Sequence, residues 1–154
     1  MCLPIEPNRN GLKSDTFQAS LRTIYADTDS MGVVYHAKYL EYFEYARNEM
    51  LREIGYPYKM LEENGIYLPV REAHLKYLRP AFYDDLLTIR TAAYQAQNHS
   101  LHFKIACEIF RDQDHLVSGY TIHFTSNSEG RPARPPRRLY RDLHSTLFHH
   151  PNDL

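Results

Sequence analysis

Residues 25–55, YADTDSMGVVYHAKYLEYFEYARNEMLREIG, constrain the chain more than any other stretch. Alternating carboxylates, Asp27 and Asp29, lead through a turn at Gly32 into an amphipathic pattern that begins at about His36. At about 100° per residue, Tyr39, Leu40, Phe43, Ala46, Met50, Leu51 and Ile54 share one sector, and Lys38, Glu41, Asn48, Glu49, Arg52 and Glu53 oppose them. The pattern predicts a helix long enough to cross a sheet, at about 1.5 Å per residue, ended by Gly55. An acid therefore stands beside a helix N-terminus, where unpaired backbone N–H groups and the positive end of the helix dipole favour developing negative charge. Arg47 projects from inside the apolar sector, as a structural ion pair with Glu44, a wall of a site, or a subunit contact.

The remaining pattern is that of strands. Phe17, Ala19 and Leu21 alternate with Gln18, Ser20 and Arg22, predicting a half-buried strand. If the chain stayed extended as far as residue 29, Asp27 and Asp29 would point the same way. A short helical turn is expected at 58–64, then extended chain at 66–78 with a bulge between Val70 and Ala73. Pro80 and Asp84-Asp85 mark a turn before a strand carrying Leu87, Ile89, Thr91 and Ala93. In residues 101–110, Leu101, Phe103, Ile105, Cys107 and Ile109 face inward and His102, Lys104 and Glu108 outward. A link at 111–114 leads to a last strand with Leu116, Tyr120, Ile122 and Phe124 on its apolar face. The expected architecture is α+β: a five-stranded antiparallel sheet wrapped around one long helix, paired through its uncovered edge or face with a copy of itself.

Residues 1–15 read as a flexible lead-in, 16–127 as the folded domain and 128–154 as a Pro/Arg-rich tail, whose run at 130–143 should leave the sheet. A net charge of −1 gives no global attraction to nucleic acid or anionic lipid. No apolar run is long enough to span a bilayer, and the first residues lack the apolar core of a signal peptide, so a cytoplasmic location is expected. Cys2 and Cys107 make no disulfide framework, and Cys107 reads as a small buried hydrophobe.

On spacing alone, Asp27 and Asp29 suit loop solvation or helix capping as well as catalysis. His36 stands where its side chain and backbone N–H would both lie near the acid. His99 and His102 would not converge on a metal, and His144, His149 and His150 lie in the tail, so no metal site is expected. There is no Gly-rich phosphate loop and no G-x-S-x-G elbow. Arg131, Arg134, Arg137, Arg138 and Arg141 read as a solvated basic tail or as contacts to an anionic substrate, with Arg134 and Arg137 the candidates named.

The run D-T-D-S-M-G-V-V-Y-H-A-K-Y-L-E-Y-F-E-Y-A-R, residues 27–47, strongly resembles the 4-hydroxybenzoyl-CoA thioesterase-like hotdog family. It looks closest to the acyl-CoA thioesterase branch encoded beside the Tol–Pal envelope system. Y-L-R-P-A-F-Y-D-D-L-L at 77–87 and G-R-P at 130–132 are similar to the same family, and the resemblance spans about residues 16–140. It implies hydrolysis of an acyl-CoA to free acid and CoA by a homodimer or homotetramer. No cofactor is implied, CoA being part of the substrate. Asp29 maps onto the family's catalytic aspartate, as general base or nucleophile. His36 maps onto the helix-start N–H that polarises the carbonyl and onto a histidine that orients water or substrate. Tyr35, Gly32 and Val34 are the implied substrate-binding positions. The chain departs from the family at Met31 and at Asn98-His99-Ser100, which bear on the acyl group. Two other readings fit less of the sequence: a non-catalytic module for acyl-CoA or acyl-carrier protein in an envelope-biogenesis assembly, and a hotdog hydratase, whose pattern the D-x-x-G-V-V-Y-H run does not resemble.

Overall fold

The computed structural model describes residues 17–95, 102–135, 137 and 148–149. The expectations at residues 1–15, at 98–101, and at Arg138, Arg141, His144 and His150 lie outside them. Strand β1 (Phe17–Arg22) leads through a 3-10 turn (Tyr25–Asp27) to helix α1 (Lys38–Glu53), then to the short helix α2 (Tyr58–Glu63). Four strands follow, β2 (Val70–Tyr77), β3 (Leu86–Gln95), β4 (His102–Arg111) and β5 (Asp114–Phe124). Neighbours along the order β1-β3-β4-β5-β2 are antiparallel, giving the expected five-stranded sheet with its helix. A two-residue strand, β6 (Phe148–His149), adds a parallel pairing to β3 at Ala93 and Tyr94. The bulge expected near Val70 is present, as a register shift between Val70 and Glu72.

The core lies between α1 and one face of the sheet. Phe43, Ala46, Met50 and Leu51 of the helix join Leu87, Ile89, Ile105, Cys107, Ile109 and Val117 of the strands in one buried cluster. Phe43 and Met50, both almost fully buried, each contribute about 1.5–3 kcal/mol of apolar burial. Gly119 makes this approach possible. A Cβ there would fall on the carbonyl oxygen of His74 and come within 2.9 Å of Phe43 Cε2.

Four expectations are corrected. Helix α1 starts at Lys38, because 35–38 form a turn closed by Lys38 N–H to the Tyr35 carbonyl at 2.9 Å. Leu40 is exposed and Tyr42 takes its place in the buried stripe, because the Tyr42 hydroxyl finds an acceptor inside. The inward face of β5 carries Val117, Thr121 and His123, leaving Tyr120, Ile122 and Phe124 on the opposite face. The cause is a second bulge: Ile109 pairs with Val117 but Phe110 with His115, so the extra residue Leu116 reverses the alternation beyond it. Glu108 does lie on the outward face but is buried there, with His115 Nε2 4.0 Å from its Oε1.

Turning Thr121 and His123 inward creates a polar island under the helix. The Leu68 carbonyl, 3.0 Å from His123 Nδ1, can only accept, so Nδ1 carries the proton. Nε2 then accepts from the Thr121 hydroxyl at 2.7 Å and faces Arg47 Nη1 at 3.5 Å. Arg47, itself buried, lies 3.9 Å from Glu44, the partner expected for it. Burial first, and the nearby Arg47 charge second, push His123 from 6.5 down to about 4. The unfolded chain therefore binds a proton between these values that the folded one refuses, and stability falls as pH drops from about 6.5 to about 4. The loss approaches about 3 kcal/mol. Urea midpoints measured across this range should fall more steeply for the wild type than for His123→Gln; parallel profiles would contradict the assignment.

Candidate active site at the helix entrance

The segment between β1 and α1 is fixed by Asp27. The 3-10 turn ends the extended run, so Asp27 and Asp29 do not point the same way, as continued strand would have required. Asp27 is buried; its Oδ2 accepts from Ile24 N at 3.1 Å and from the Tyr42 hydroxyl at 2.8 Å, and Lys38 Nζ lies 3.8 Å from Oδ1. Burial first and this carboxylate second hold the Tyr42 phenol well above its ordinary pKa, so it stays a donor. Asp29, half-buried, closes the next turn: its Oδ1 accepts Met31 N at 2.8 Å, its backbone N–H meets the Val33 carbonyl at 2.9 Å, and its carbonyl accepts Gly32 N at 2.9 Å. Gly32 adopts φ 76°, which suits glycine. Asp29 Oδ2 has no protein donor among the described residues.

Helix α1 has Ala37 at its N-cap and no side-chain cap. Among the described residues no acceptor meets the backbone N–H of His36 or Ala37. The helix therefore presents unspent donors at its positive end. Three hydrogen bonds sew this entrance to residues 77–82: Tyr77 hydroxyl to the His36 carbonyl at 2.9 Å, Ala81 N to the Tyr39 hydroxyl at 3.1 Å, and Val34 N to the Ala81 carbonyl at 2.8 Å. Tyr39 and Tyr77 also meet edge-to-face, 5.6 Å between ring centres. Behind them the Thr23 hydroxyl donates to the Phe82 carbonyl at 2.5 Å.

Between the two segments lies an apolar groove of about 300 Å³, lined by Val33, Val34, His36, Tyr39, Tyr77, Leu78, Arg79 and Pro80. Of the sequence candidates, Val34 and His36 line it. Tyr35 meets His36 with the rings tilted at 49° and their centres 4.3 Å apart, and Gly32 is exposed in the adjoining turn. Asp29 is outside the lining but is backbone-paired to Val33, which is part of it. Arg134 follows Ala133, which is bonded to Thr125 beyond the far end of β5, roughly 30 Å along the strand from Leu116 at the groove end. Arg134 and Arg137 are exposed, and within one chain the fold does not bring Arg134 to the groove. Tyr39, Tyr77 and Arg79 went unnoticed as site residues. Tyr39 reads as core, and the other two appear only within the Y-L-R-P-A run. Cys107, buried, has its thiol pushed up to about 12 by burial, which suits no nucleophile. Among the described residues no three His, Cys, Asp or Glu side chains gather as a metal site, and no helix is long and apolar enough to cross a membrane.

A sheet wrapped on one long helix, with a groove at that helix's uncapped entrance, defines the hotdog class. The chain belongs to the thioesterase-like superfamily, whose pattern it matches over residues 25–143. It is 37% identical over 92 residues to the acyl-CoA thioester hydrolase YbgC of Escherichia coli, covering 60% of this chain and 69% of that protein. A putative esterase of Aquifex aeolicus is 29% identical over 102 residues, 66% of this chain and 78% of that one. Among solved structures, a probable thioesterase from Bartonella henselae superposes with a TM-score of 0.72 at 36% identity, covering 77% of this chain and 98% of that one. The YbgC relatives agree with the branch that residues 27–47 resemble.

If Asp27 anchors the entrance through Tyr42, Tyr42→Phe should cost about 1–3 kcal/mol by leaving a buried carboxylate oxygen short of a donor. Denaturant titration reads this directly, and an unchanged midpoint would mean that the phenol is dispensable.

Proposed function

We propose that this thioesterase-family enzyme hydrolyses an acyl-CoA thioester to the free acid and CoA at the groove beside the α1 entrance. The observation that carries the reading is the pair of unspent N–H groups at His36 and Ala37, on the rim of an apolar groove with an acid in the adjoining turn. The names of the YbgC relatives supply the thioester class. The acyl group lies against Val34, Tyr39, Tyr77 and Leu78, and its carbonyl oxygen points at the helix entrance. Asp29, through its open Oδ2, takes a proton from water as the water oxygen bonds to the acyl carbon, or attacks that carbon itself to give, once the thiolate has left, a mixed anhydride that water hydrolyses to the free acid and the regenerated carboxylate. The carbonyl becomes an oxyanion held by the N–H donors, and the C–S bond then breaks to expel the CoA thiolate. Thiolate is a good leaving group, so help is needed mainly at attack; one oxyanion donor is worth roughly 2.7–4 kcal/mol in comparable sites. The His36 ring, exposed at the rim, orients water or substrate.

The enzyme works as an assembly of copies. Strand β2 is an edge strand whose residues are exposed apart from half-buried Leu75, and it ends in Tyr77, a wall of the groove. An unpaired edge of this length is a template for strand addition, and a second copy there would close the groove on its open side. Sedimentation at micromolar concentration should give two or four times the 18.2 kDa chain mass, and a monomer would refute the assembly.

Asp29→Asn should lower kcat by about 10²–10⁴-fold while folding and acyl-CoA binding persist. Asp27→Asn should lose stability more than turnover. Near-normal release of thiol by purified Asp29→Asn would remove that residue from the mechanism.

A further inference from the structure

The groove wall carries one guanidinium, that of Arg79. The backbone fixes where it stands: the N–H groups of Leu78 and Arg79 both donate to the Leu116 carbonyl, at 2.8 and 3.0 Å, and Pro80 follows with its restricted φ. Arg79 Nη1 donates to Asp114 Oδ1 at 3.0 Å. The other Asp114 oxygen faces Arg111 Nη2 at 3.3 Å, and Arg111 Nη1 meets Asp85 Oδ2 at 2.8 Å. Asp114 is thus shared by two arginines. Of the five N–H donors of Arg79's side chain, one is committed to a protein acceptor among the described residues. The side chain is 59% exposed, which leaves it within reach of a ligand. Through Asp114 the side chain joins a network with Arg111 and Asp85, but its own pair is the exposed end of that network, where an ion pair contributes little to stability.

We propose that Arg79 binds a negatively charged oxygen of the groove's ligand, a phosphate or a carboxylate, with Asp114 orienting its guanidinium. The planar fork suits both groups, and a ligand with an apolar body beside an anionic end matches a wall of Val34, Tyr39, Tyr77 and Leu78 that ends in one cation. Arg79 stands two residues beyond Tyr77, whose hydroxyl touches the helix entrance, and both line the same groove. The inference rests on the acyl-CoA reading, and two parts of such a substrate supply the anion. One is the CoA phosphates. The other is a carboxylate at the far end of a dicarboxylic acyl group.

Thiol release by wild type, Arg79→Gln and Arg79→Lys, measured on butyryl-CoA, butyryl-N-acetylcysteamine and succinyl-N-acetylcysteamine, separates the sources. If the phosphates are bound, Arg79→Gln raises KM for butyryl-CoA tenfold or more, and the phosphate-free butyryl thioester shows no such rise. If a carboxylate is bound, the rise appears with the succinyl thioester and not with its butyryl counterpart. In either case Arg79→Lys recovers part of the loss. Unchanged KM throughout, or the same rise on all three thioesters, overturns the proposal. If wild type releases thiol from none of them, hydrolysis is what fails, and calorimetric titration with CoA and with succinate decides Arg79 separately. Binding of either that is weakened tenfold in Arg79→Gln supports it, and binding that is unchanged or absent overturns it.

Discussion

The site depends on the seam that joins the α1 entrance to residues 77–82. Two of its bonds are made by tyrosine hydroxyls and the third by backbone, so the helix end is held at three points: Val34, His36 and Tyr39. A helix terminus left to itself frays, and donors that wander are poor electrostatic catalysts, because their value lies in being oriented before charge develops. The seam also leaves space. Tyr77 and Tyr39 pack edge-to-face and both line the groove.

Around that seam the molecule places its buried polar groups where they orient something. Asp27 binds the turn before the helix to the helix itself through Ile24 and Tyr42, freeing Asp29, two residues on, from a structural task beyond its own turn. Burying a carboxylate is costly unless its lone pairs are met, and here three groups gather on it. The Arg47–His123–Thr121 island does the same under the middle of the helix, tying it to β5 and, through the Leu68 carbonyl, to the segment before β2. The fold thus separates two kinds of acid: one buried and bonded into the frame, the other beside the groove with an oxygen free.

Periodicity revealed the helix and the inward face of β4, because both patterns are long and little interrupted. It also located the bulge near Val70. What it missed follows from local backbone events that alternation cannot register. A single extra residue, Leu116, reverses β5, so Thr121 and His123 face the core while Tyr120 and Ile122 do not; a polar residue at an inward position reads as an outward one. The 3-10 turn at Tyr25–Asp27 divided two acids that spacing had made equivalent. Tyr39 and Tyr42 sit on a helix face where aromatic residues read as packing, and only their hydroxyl partners set them apart. Tyr77 and Arg79 reach the helix entrance across about forty residues of chain, a proximity visible only after the sheet is assembled. Resemblance carried Asp29 and His36 further than spacing could, since spacing left capping and catalysis equally open.

The central claim is that an acyl carbonyl docks on the donors at the start of α1. A crystal structure of Asp29→Asn soaked with a slowly hydrolysed acyl-CoA tests it most directly. The carbonyl oxygen should lie about 2.7–3.1 Å from the backbone nitrogen of His36 or Ala37, with the acyl chain against Tyr39 and Tyr77. An acyl group bound elsewhere, with those nitrogens bonded only to water, would contradict it.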